Sequence, residues 1–251
     1  MSTPTTGSRL KGCMLFLVVV FVIVFAVGVI GCQAVVKLRD TTRRSTGMND
    51  VSDIRIPAEF YAKEHNGGWP PYDPEPGRLM FERMVMFQEY GVNSGKVTAE
   101  FDKDTPLRQF HERDPLAYEY DPNLIDDHSF WYLAYRVRNE DEARAFAAGY
   151  RHHVEHQLGF EGDLVCPGSN PPVLPRLQDP DLNPNATPSE IADAACTVVF
   201  IERPGNYEPT YSGGCVGYLD GHVEYIDYPG EFPMTEEMIT TLESLDALGG
   251  G

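Results

Sequence analysis

The sequence predicts an α+β protein in which a single N-terminal transmembrane helix precedes a soluble body with a small antiparallel sheet. Three observations predict it. Residues 13–36 are apolar except for Gln33, apolar residues alternate along short segments in the last third of the chain, and every acidic residue follows the apolar run. The chain therefore divides into a cytoplasmic leader at 1–12, a transmembrane helix at 13–36, a helical stem at 37–68 and a soluble α+β domain at 69–251.

The apolar run predicts a membrane anchor. A helix over residues 13–36 would be about 36 Å long, and the hydrocarbon core of a bilayer is about 30 Å thick. In lipid the backbone can satisfy its hydrogen bonds only internally, so this segment must be helical despite its many β-branched residues. Membrane lipid is thus the first expected partner.

Charge excludes one large class of functions. The chain has 38 acidic and 20 basic residues and a net charge of −18. Nucleic acids and anionic lipid surfaces are bound through basic surfaces, so neither is expected as a partner of the body. An acidic extracytoplasmic domain, or one that gathers cations, fits the composition.

The N-terminus is compatible with three kinds of processing. It can remain as an uncleaved signal anchor. The segment ending in Gly31-Cys32 resembles a lipobox, which would place a lipid on Cys32. The segment Lys11-Gly12 resembles the end of a type IV prepilin leader, which would be cleaved after Gly12. In that leader the fifth mature position usually carries a carboxylate, and here it is Leu17.

Periodicity and end signals predict the elements of the body. Asn139 is a good N-cap, and three acids follow it where the helix dipole favours negative charge. Asp220-Gly221 between alternating segments is the strongest short-range signal for a hairpin. The predicted strands lie at 130–137, 196–202, 215–219 and 222–228, and the predicted helices at 37–45, 57–65, 79–90, 140–157 and 235–248.

Two stretches are predicted to lack regular structure. Gly47, Met48 and Asn49 should interrupt the stem, and the proline-rich segment 165–189 should form no regular element. The strands at 196–228 form a three-stranded meander in this prediction. They are too short to be stable without a covering helix, so the N-terminal helix should lie across the sheet.

The C-terminal third resembles a known family. The sequence GGCVGYLDGHVEYIDYPGEFPMTEE at 213–237 is similar to the C-terminal signature of planctomycete-type pseudopilin-like membrane proteins. The resemblance extends to FIERPGN at 200–206, WYLAY at 131–135 and YAKEHNGGWPP at 61–71. Relatives often carry His after Pro-Gly-Asn, where this chain has Tyr207.

The resemblance implies a fold and a function. Such proteins resemble type II secretion pseudopilins, with an N-terminal helix half in the membrane and packed on a small antiparallel sheet, which is a pilin-like roll. The implied function is that of a non-enzymatic envelope protein, a minor subunit of a secretion or pilus-like assembly with other pseudopilin-like subunits as partners. The implied location is the bacterial cytoplasmic membrane, with one pass and an extracytoplasmic body. The positive-inside rule favours the opposite orientation, because Lys37, Arg39, Arg43 and Arg44 follow the span.

A histidine-rich helix offers an alternative function. The segment 152–156 matches H-x-x-E-H, in which His152 and His156 would hold zinc and Glu155 would activate water. A membrane-tethered metal-binding protein or metallohydrolase is therefore the second hypothesis. The only obvious distant candidates for a third ligand are Glu224 and Glu231, and a solvated helix face is the simpler interpretation.

A second segment predicts a calcium site. Oxygen-bearing side chains at Asp179, Asp181, Asn183 and Glu190 fall at positions one, three, five and twelve of a calcium loop. Pro184 occupies the position that needs a positive φ, so a true EF-hand loop is excluded and only a looser site fits. No other cofactor is expected.

The cysteines of the body allow one disulfide in an oxidising compartment. Cys166, Cys196 and Cys215 permit three pairings, with one thiol left over. Cys196 with Cys215 is the favoured pair, because these residues begin neighbouring predicted strands.

Overall fold

The computed structural model describes residues 44–82, 129–183, 185–204 and 213–249, together with isolated positions between 21 and 42 and at 86 and 90. By contacts the chain forms two units, residues 1–43 and residues 44–251. The leader, nearly all of the predicted span, and Gly12, Leu17 and Cys32 lie outside the described residues. Among the residues that are described, no helix combines the length and the apolar character needed to cross a membrane.

The second unit is an α+β fold around a small antiparallel sheet. Four strands are ordered β1-β4-β5-β6, and each neighbouring pair is antiparallel. The predicted meander is thus confirmed, and the strand predicted at 130–137 is shorter than expected. The bounds are Phe130–Tyr132 for β1, Val198–Glu202 for β4, Gly213–Tyr218 for β5 and Val223–Asp227 for β6.

Residues 44–64 form one uninterrupted helix, α1. The predicted break at 47–49 is therefore wrong. Glycine costs about 1 kcal/mol in a helix interior relative to alanine. Gly47 is buried in the body, so packing of the helix offsets that intrinsic cost.

Helix α1 lies along β5 and β6. A Cβ added to Gly217 would meet Val51 Cγ1 at 2.7 Å, so strand and helix approach too closely for a larger side chain. At the start of the helix, the Arg44 guanidinium lies 4.3 Å from the Tyr225 ring centroid and 3.8 Å from Asp227. The Cys215 thiol contacts the Arg44 carbonyl oxygen at 3.7 Å.

The opposite face of the sheet is covered as well. Side chains of a strand alternate between faces, and a Cβ on Gly214 would meet Met234 rather than α1. Strands β4 and β5 are consequently buried at every position, whereas β6 has only Ile226 buried. Alternation of apolar residues is typical of half-exposed strands. It nevertheless predicted the right strands here, although β4 and β5 are buried on both faces.

The helices predicted at 140–157 and 235–248 are confirmed, with slightly shorter bounds. Helix α2 spans Glu140–Glu155, and the Asn139 side chain accepts a hydrogen bond from Glu142 N at 3.0 Å. A later helix, α4, spans Glu236–Asp246 with Thr235 as its N-cap. The Thr235 hydroxyl also donates to the Glu140 carboxylate, which joins the beginnings of these two helices.

An aromatic core fills the space between the sheet and α2. Two of its tyrosine hydroxyls are hydrogen-bonded to backbone, as buried hydroxyls usually are. Tyr132 donates to the Pro70 carbonyl oxygen at 2.8 Å, and Tyr72 accepts from Ala134 N at 3.0 Å. Burial raises the pKa of both phenols. The loop segment 69–73 is therefore part of the core, whereas residues 74–76 are exposed.

The helix predicted at 79–90 does not begin at Leu79. Residues 79–82 are not helical, and Phe81 forms an antiparallel bridge with Tyr72. Phe81 also contacts Tyr132 and Phe200 with ring centroids 5.6 and 6.4 Å away. Its burial on the aromatic core explains why this segment is extended. Apart from positions 86 and 90, the rest of the predicted helix lies outside the described residues.

The segment predicted to lack regular structure is ordered, which corrects that expectation. Strands β2 (Leu164–Val165) and β3 (Val173–Leu174) form a separate hairpin, and helix α3 spans Pro188–Ala194. Residues 175–179, between β3 and α3, form bridges with two extended segments, one at Tyr135 and the other at Gly68. Leu177 N donates to the Ala134 carbonyl oxygen, and Trp69 N donates to the Leu177 carbonyl oxygen.

Candidate functional site

The histidine segment at the end of α2 is divided between two roles. His153 is buried, and both of its ring nitrogens bond to backbone. Its Nδ1–H donates to the Gly159 carbonyl oxygen at 2.9 Å, and its Nε2 accepts from Val165 N at 3.2 Å. This pairing selects the neutral Nδ1–H tautomer. His153 thus holds the turn after α2 and the first strand of the second hairpin.

The predicted zinc ligands lie on the outer face of the same helix. His152 and His156 have ring centroids 4.2 Å apart, and His156 Nδ1 donates to the His152 carbonyl oxygen. Glu155 is exposed. Glu224, a candidate third ligand, accepts a hydrogen bond from Tyr218 on the sheet. Within the described parts of the chain, no three His, Cys, Asp or Glu side chains are arranged to hold a metal ion.

The predicted calcium ligands are used in local turns. Asp179 Oδ1 accepts from Asp181 N at 2.9 Å, and Asn183 Oδ1 accepts from Asn185 N at 3.0 Å. Asp179 is partly buried, and this burial raises the pKa of its carboxyl group. These contacts are Asx turns, which form in loops without a metal.

Glu190 has a different role, as a capping residue of α3. The Thr187 hydroxyl accepts from Glu190 N, and the Glu190 carboxylate accepts from Thr187 N at 2.7 Å, which is a capping box. The bond from Thr187 N is the main cause of the lowered pKa of Glu190. The structure therefore does not gather Asp179, Asp181, Asn183 and Glu190 around one point.

The structure does not pair Cys196 with Cys215. Both are free thiols, as is Cys166. The pairing of Ile201 with Val216 brings the end of β4 beside the start of β5. Cys196 precedes β4, so it lies about 20 Å from Cys215 along the sheet at about 3.3 Å per residue. A disulfide needs Cα atoms within about 7 Å, and the starts of two antiparallel strands lie at opposite ends.

The buried thiols are poor nucleophiles. Burial raises the pKa of Cys215, and the adjacent Glu202 carboxylate raises it further. Burial likewise raises the pKa of Cys166. Since the thiolate is the reactive form, neither residue is suited to nucleophilic catalysis.

A cleft of about 270 Å³ lies between the 175–178 segment and α3. Its polar lining includes the side chains of Arg136, Arg176, Asp163 and Glu190, and its apolar lining includes Leu177. None of the sequence-based expectations identified this cleft. The predicted calcium segment and the extended segment after β1 meet there.

Two arginines beside the cleft have different surroundings. Arg138 pairs with Glu142 and with Asp193. Arg136, two residues earlier, has no side-chain hydrogen bond or ion pair with any residue that the structure describes, and its Nε is buried without an acceptor. The alternation of Tyr135, Arg136, Val137 and Arg138 was a sequence signal for two arginines on one side of an extended segment.

The described residues form a protein with a helix packed on an antiparallel sheet and a cleft lined by charged, polar and apolar residues. Comparison with known proteins adds no relative. No protein-family model matches the sequence, and no curated protein or solved structure matches it.

Proposed function

We propose that this chain is a non-enzymatic, membrane-anchored envelope protein of pseudopilin type. In this proposal residues 13–36 are a single transmembrane helix, and the body is a pilin-like roll outside the bacterial cytoplasmic membrane. The protein is a minor subunit of a secretion or pilus-like assembly.

One observation carries the proposal: an N-terminal helix that follows an apolar run in the sequence packs along a small antiparallel sheet. Val51 of the helix lies close to Gly217 on one face of the sheet, and Met234 lies against the opposite face. This is the arrangement implied by the resemblance to pseudopilins. The length and apolar character of residues 13–36 support the anchor independently.

The polar groups of the histidine segment also favour a structural role. His153 is its most buried member, and both of its ring nitrogens are already hydrogen-bonded to the backbone of Gly159 and Val165. A catalytic zinc needs three protein ligands and an open position. His152 and His156 have no third ligand among the described residues, so the hydrolase hypothesis has less support.

The assembly role can be tested through the apolar segment. Replacing Val22 and Val24 with Asn should abolish co-purification of partner proteins, because amides are costly in a lipid-embedded helix interface. The matched control replaces the same residues with Leu, which keeps the segment apolar and should retain the partners. Equal recovery of partners with both double variants would contradict assembly through this helix.

Processing can be tested by the mass of the mature N-terminus. Cleavage after Gly12 would support a prepilin-type route, a lipid on Cys32 would indicate a lipoprotein, and an intact N-terminus would indicate a signal anchor. Protease digestion of intact cells, with an outer membrane permeabilised where there is one, tests the orientation. We expect the body to be cleaved, and a fully protected body would refute the extracytoplasmic location.

The identity of Leu17 predicts a minor subunit rather than a filament-forming one. In pilin-type filaments a carboxylate at this position pairs with the terminal amine of a neighbouring subunit inside the membrane. Leucine cannot form that pair. Overexpressed alone, the protein should stay in the membrane fraction, and homopolymeric fibres in sheared surface material would refute this.

A further inference from the structure

We propose that the cleft between residues 175–178 and α3 binds a small organic monocarboxylate, with Arg136 as the group that recognises the carboxylate. The inference is independent of the assembly role proposed above. It rests on the charge arrangement of the cleft and on its volume.

The first step is that the Arg136 side chain has no hydrogen bond or ion pair with any residue that the structure describes. A guanidinium carries five N–H donors and stays charged at all relevant pH values. Arg136 points none of them at an acceptor within the described part of the protein, and its Nε is shielded from solvent. Arg136 is half-buried and its buried Nε lacks a hydrogen bond, so an anion beside this group would gain a charge-assisted hydrogen bond.

The second step is that the neighbouring carboxylates are already engaged. Asp193 pairs with Arg138. Glu190 accepts from Thr187 in the capping box, and it lies near enough to Arg136 for that charge to contribute to its lowered pKa. Neither acid forms an ion pair with Arg136 among the described residues.

Arg176 adds a second positive charge that no acid of the described residues neutralises in an ion pair. Its guanidinium donates to the carbonyl oxygens of Glu161 and Trp69 at 2.8 and 2.6 Å. Asp163 Oδ1 accepts from the Arg176 backbone N–H instead. Arg176 is thus fixed by neutral groups, and it contributes positive potential to the cleft wall.

The lining selects a monoanion with an apolar part. A phosphate dianion would face the carboxylates of Asp163, Glu190 and Asp193, which line the same cleft. A single negative charge matches the single guanidinium there that has no partner among the described residues. The uncharged part of the wall includes polar residues (Gln178, Asn183 and Thr197) and apolar ones (Pro175, Leu177, Pro180, Ala186 and Leu219).

The volume sets the size of the ligand. The cleft has a volume of about 270 Å³, several times the roughly 30 Å³ that one water molecule occupies in the liquid. N-acetyl-alanine is small enough to fit within it. Either a free organic acid or the carboxylate at the end of a peptide has the required chemistry.

The test measures binding to the full-length protein by calorimetry and by thermal shift. The probes are N-acetyl-alanine, its primary amide, an N-acetylated pentapeptide ending in alanine, and inorganic phosphate. We expect the free acid to bind and the amide not to bind. Tighter binding of the pentapeptide acid would identify the C-terminus of a polypeptide as the source, and equal or weaker binding would identify a free acid.

Variants separate the cleft from general charge effects. Arg136→Gln should weaken binding of the acid by about tenfold or more, as expected for loss of a hydrogen bond to a charged group. Arg144→Gln removes the same charge from an exposed position and should bind as the wild type does. Ala186→Phe should block binding while leaving every charge in place.

Folding of the variants provides an internal check. Without ligand, Arg136→Gln should melt at the wild-type temperature or higher, because the Arg136 side chain has no hydrogen bond or ion pair among the described residues and its Nε is buried without an acceptor. A lower melting temperature would show that Arg136 is a structural residue. The proposal is also overturned if phosphate binds better than the acid, if acid and amide bind equally, or if Arg136→Gln binds as tightly as Arg144→Gln.

Discussion

The sheet with α1 and the segment 164–196 are both ordered, but different forces hold them. At the sheet, apolar groups approach closely from both faces, and Gly217 leaves no room for a side chain beside Val51. In the segment 164–196, much of the order comes from polar side chains that bond to backbone groups, including His153 and Arg176. The sheet should therefore be sensitive to volume, and the second region to the loss of single polar groups.

The largest effect is expected at Gly217. Gly217→Leu should lower the free energy of unfolding by about 3 kcal/mol, because the added side chain must displace Val51 or the helix. Chemical denaturation measures this. Gly162→Ala is the matched glycine control, since a Cβ there meets nothing within 4 Å, and it should change stability little.

A double-mutant cycle sharpens the same point. Gly217→Ala and Val51→Ala should each destabilise the protein, one by crowding and the other by leaving a cavity. Together they should cost less than the sum by about 1 kcal/mol or more, because the cavity receives the added methyl group. Strict additivity would show that α1 does not press on β5 at this point.

The second prediction concerns His153. His153→Ala should lower the free energy of unfolding by about 2 kcal/mol, because Gly159 O and Val165 N lose their buried partner. The effect should fall on the hairpin β2–β3 in hydrogen exchange.

His156→Ala is the control for the histidine segment. This residue is exposed, and surface substitutions usually stay within about 0.5 kcal/mol. A larger loss at His156 than at His153, accompanied by release of bound zinc, would instead support the metal hypothesis.

The third prediction concerns Arg138, whose ion pairs connect α2 with α3. Arg138→Gln should cost about 1.5 kcal/mol, since Glu142 and Asp193 lose a charged partner and Glu142 is buried. Arg144→Gln removes an arginine whose side chain is 53% exposed, and exposed pairs contribute little. Equal losses for the two variants would contradict a structural role for the Arg138 pairs.

The local part of this fold was predictable from the sequence. Alternation and Asp220-Gly221 predicted the hairpin, and Asn139 predicted the start of α2, because caps and turns depend on near neighbours along the sequence. The order within 165–189 was missed because its hydrogen bonds go to distant residues such as Trp69. The predicted break at Gly47 was wrong for a similar reason, since burial against the body outweighed a local preference.

The candidate site was less predictable. Ligand spacing alone brought Asp179 and Glu190 into one calcium loop, whereas the first forms an Asx turn and the second caps a helix. The predicted Cys196–Cys215 pair was inconsistent with the predicted meander itself, because two neighbouring antiparallel strands begin at opposite ends of the sheet. Arg136 and Arg138 have the same residue type on the same extended segment, and only tertiary structure shows that Arg138 has acidic partners and Arg136 has none among the described residues.

The smallest effect is expected at the capping box of α3, and it depends on pH. The Thr187 N–H bond holds the pKa of Glu190 below its ordinary value of 4.5, so the ionised carboxylate stabilises the folded helix. That contribution is present above pH 4.5 and is lost as the pH falls through the lowered pKa.

Hydrogen-exchange protection of α3 should decline in this acid range in the wild type. In Glu190→Gln, which has no carboxylate at this position, the decline caused by the capping box should be absent, and an acid decline in that variant equal to the wild type's would refute the assignment. Asp179, whose pKa is raised by burial, should contribute with the opposite sign. Because Asp179 is unchanged in Glu190→Gln, the difference between the two proteins reports the capping box alone.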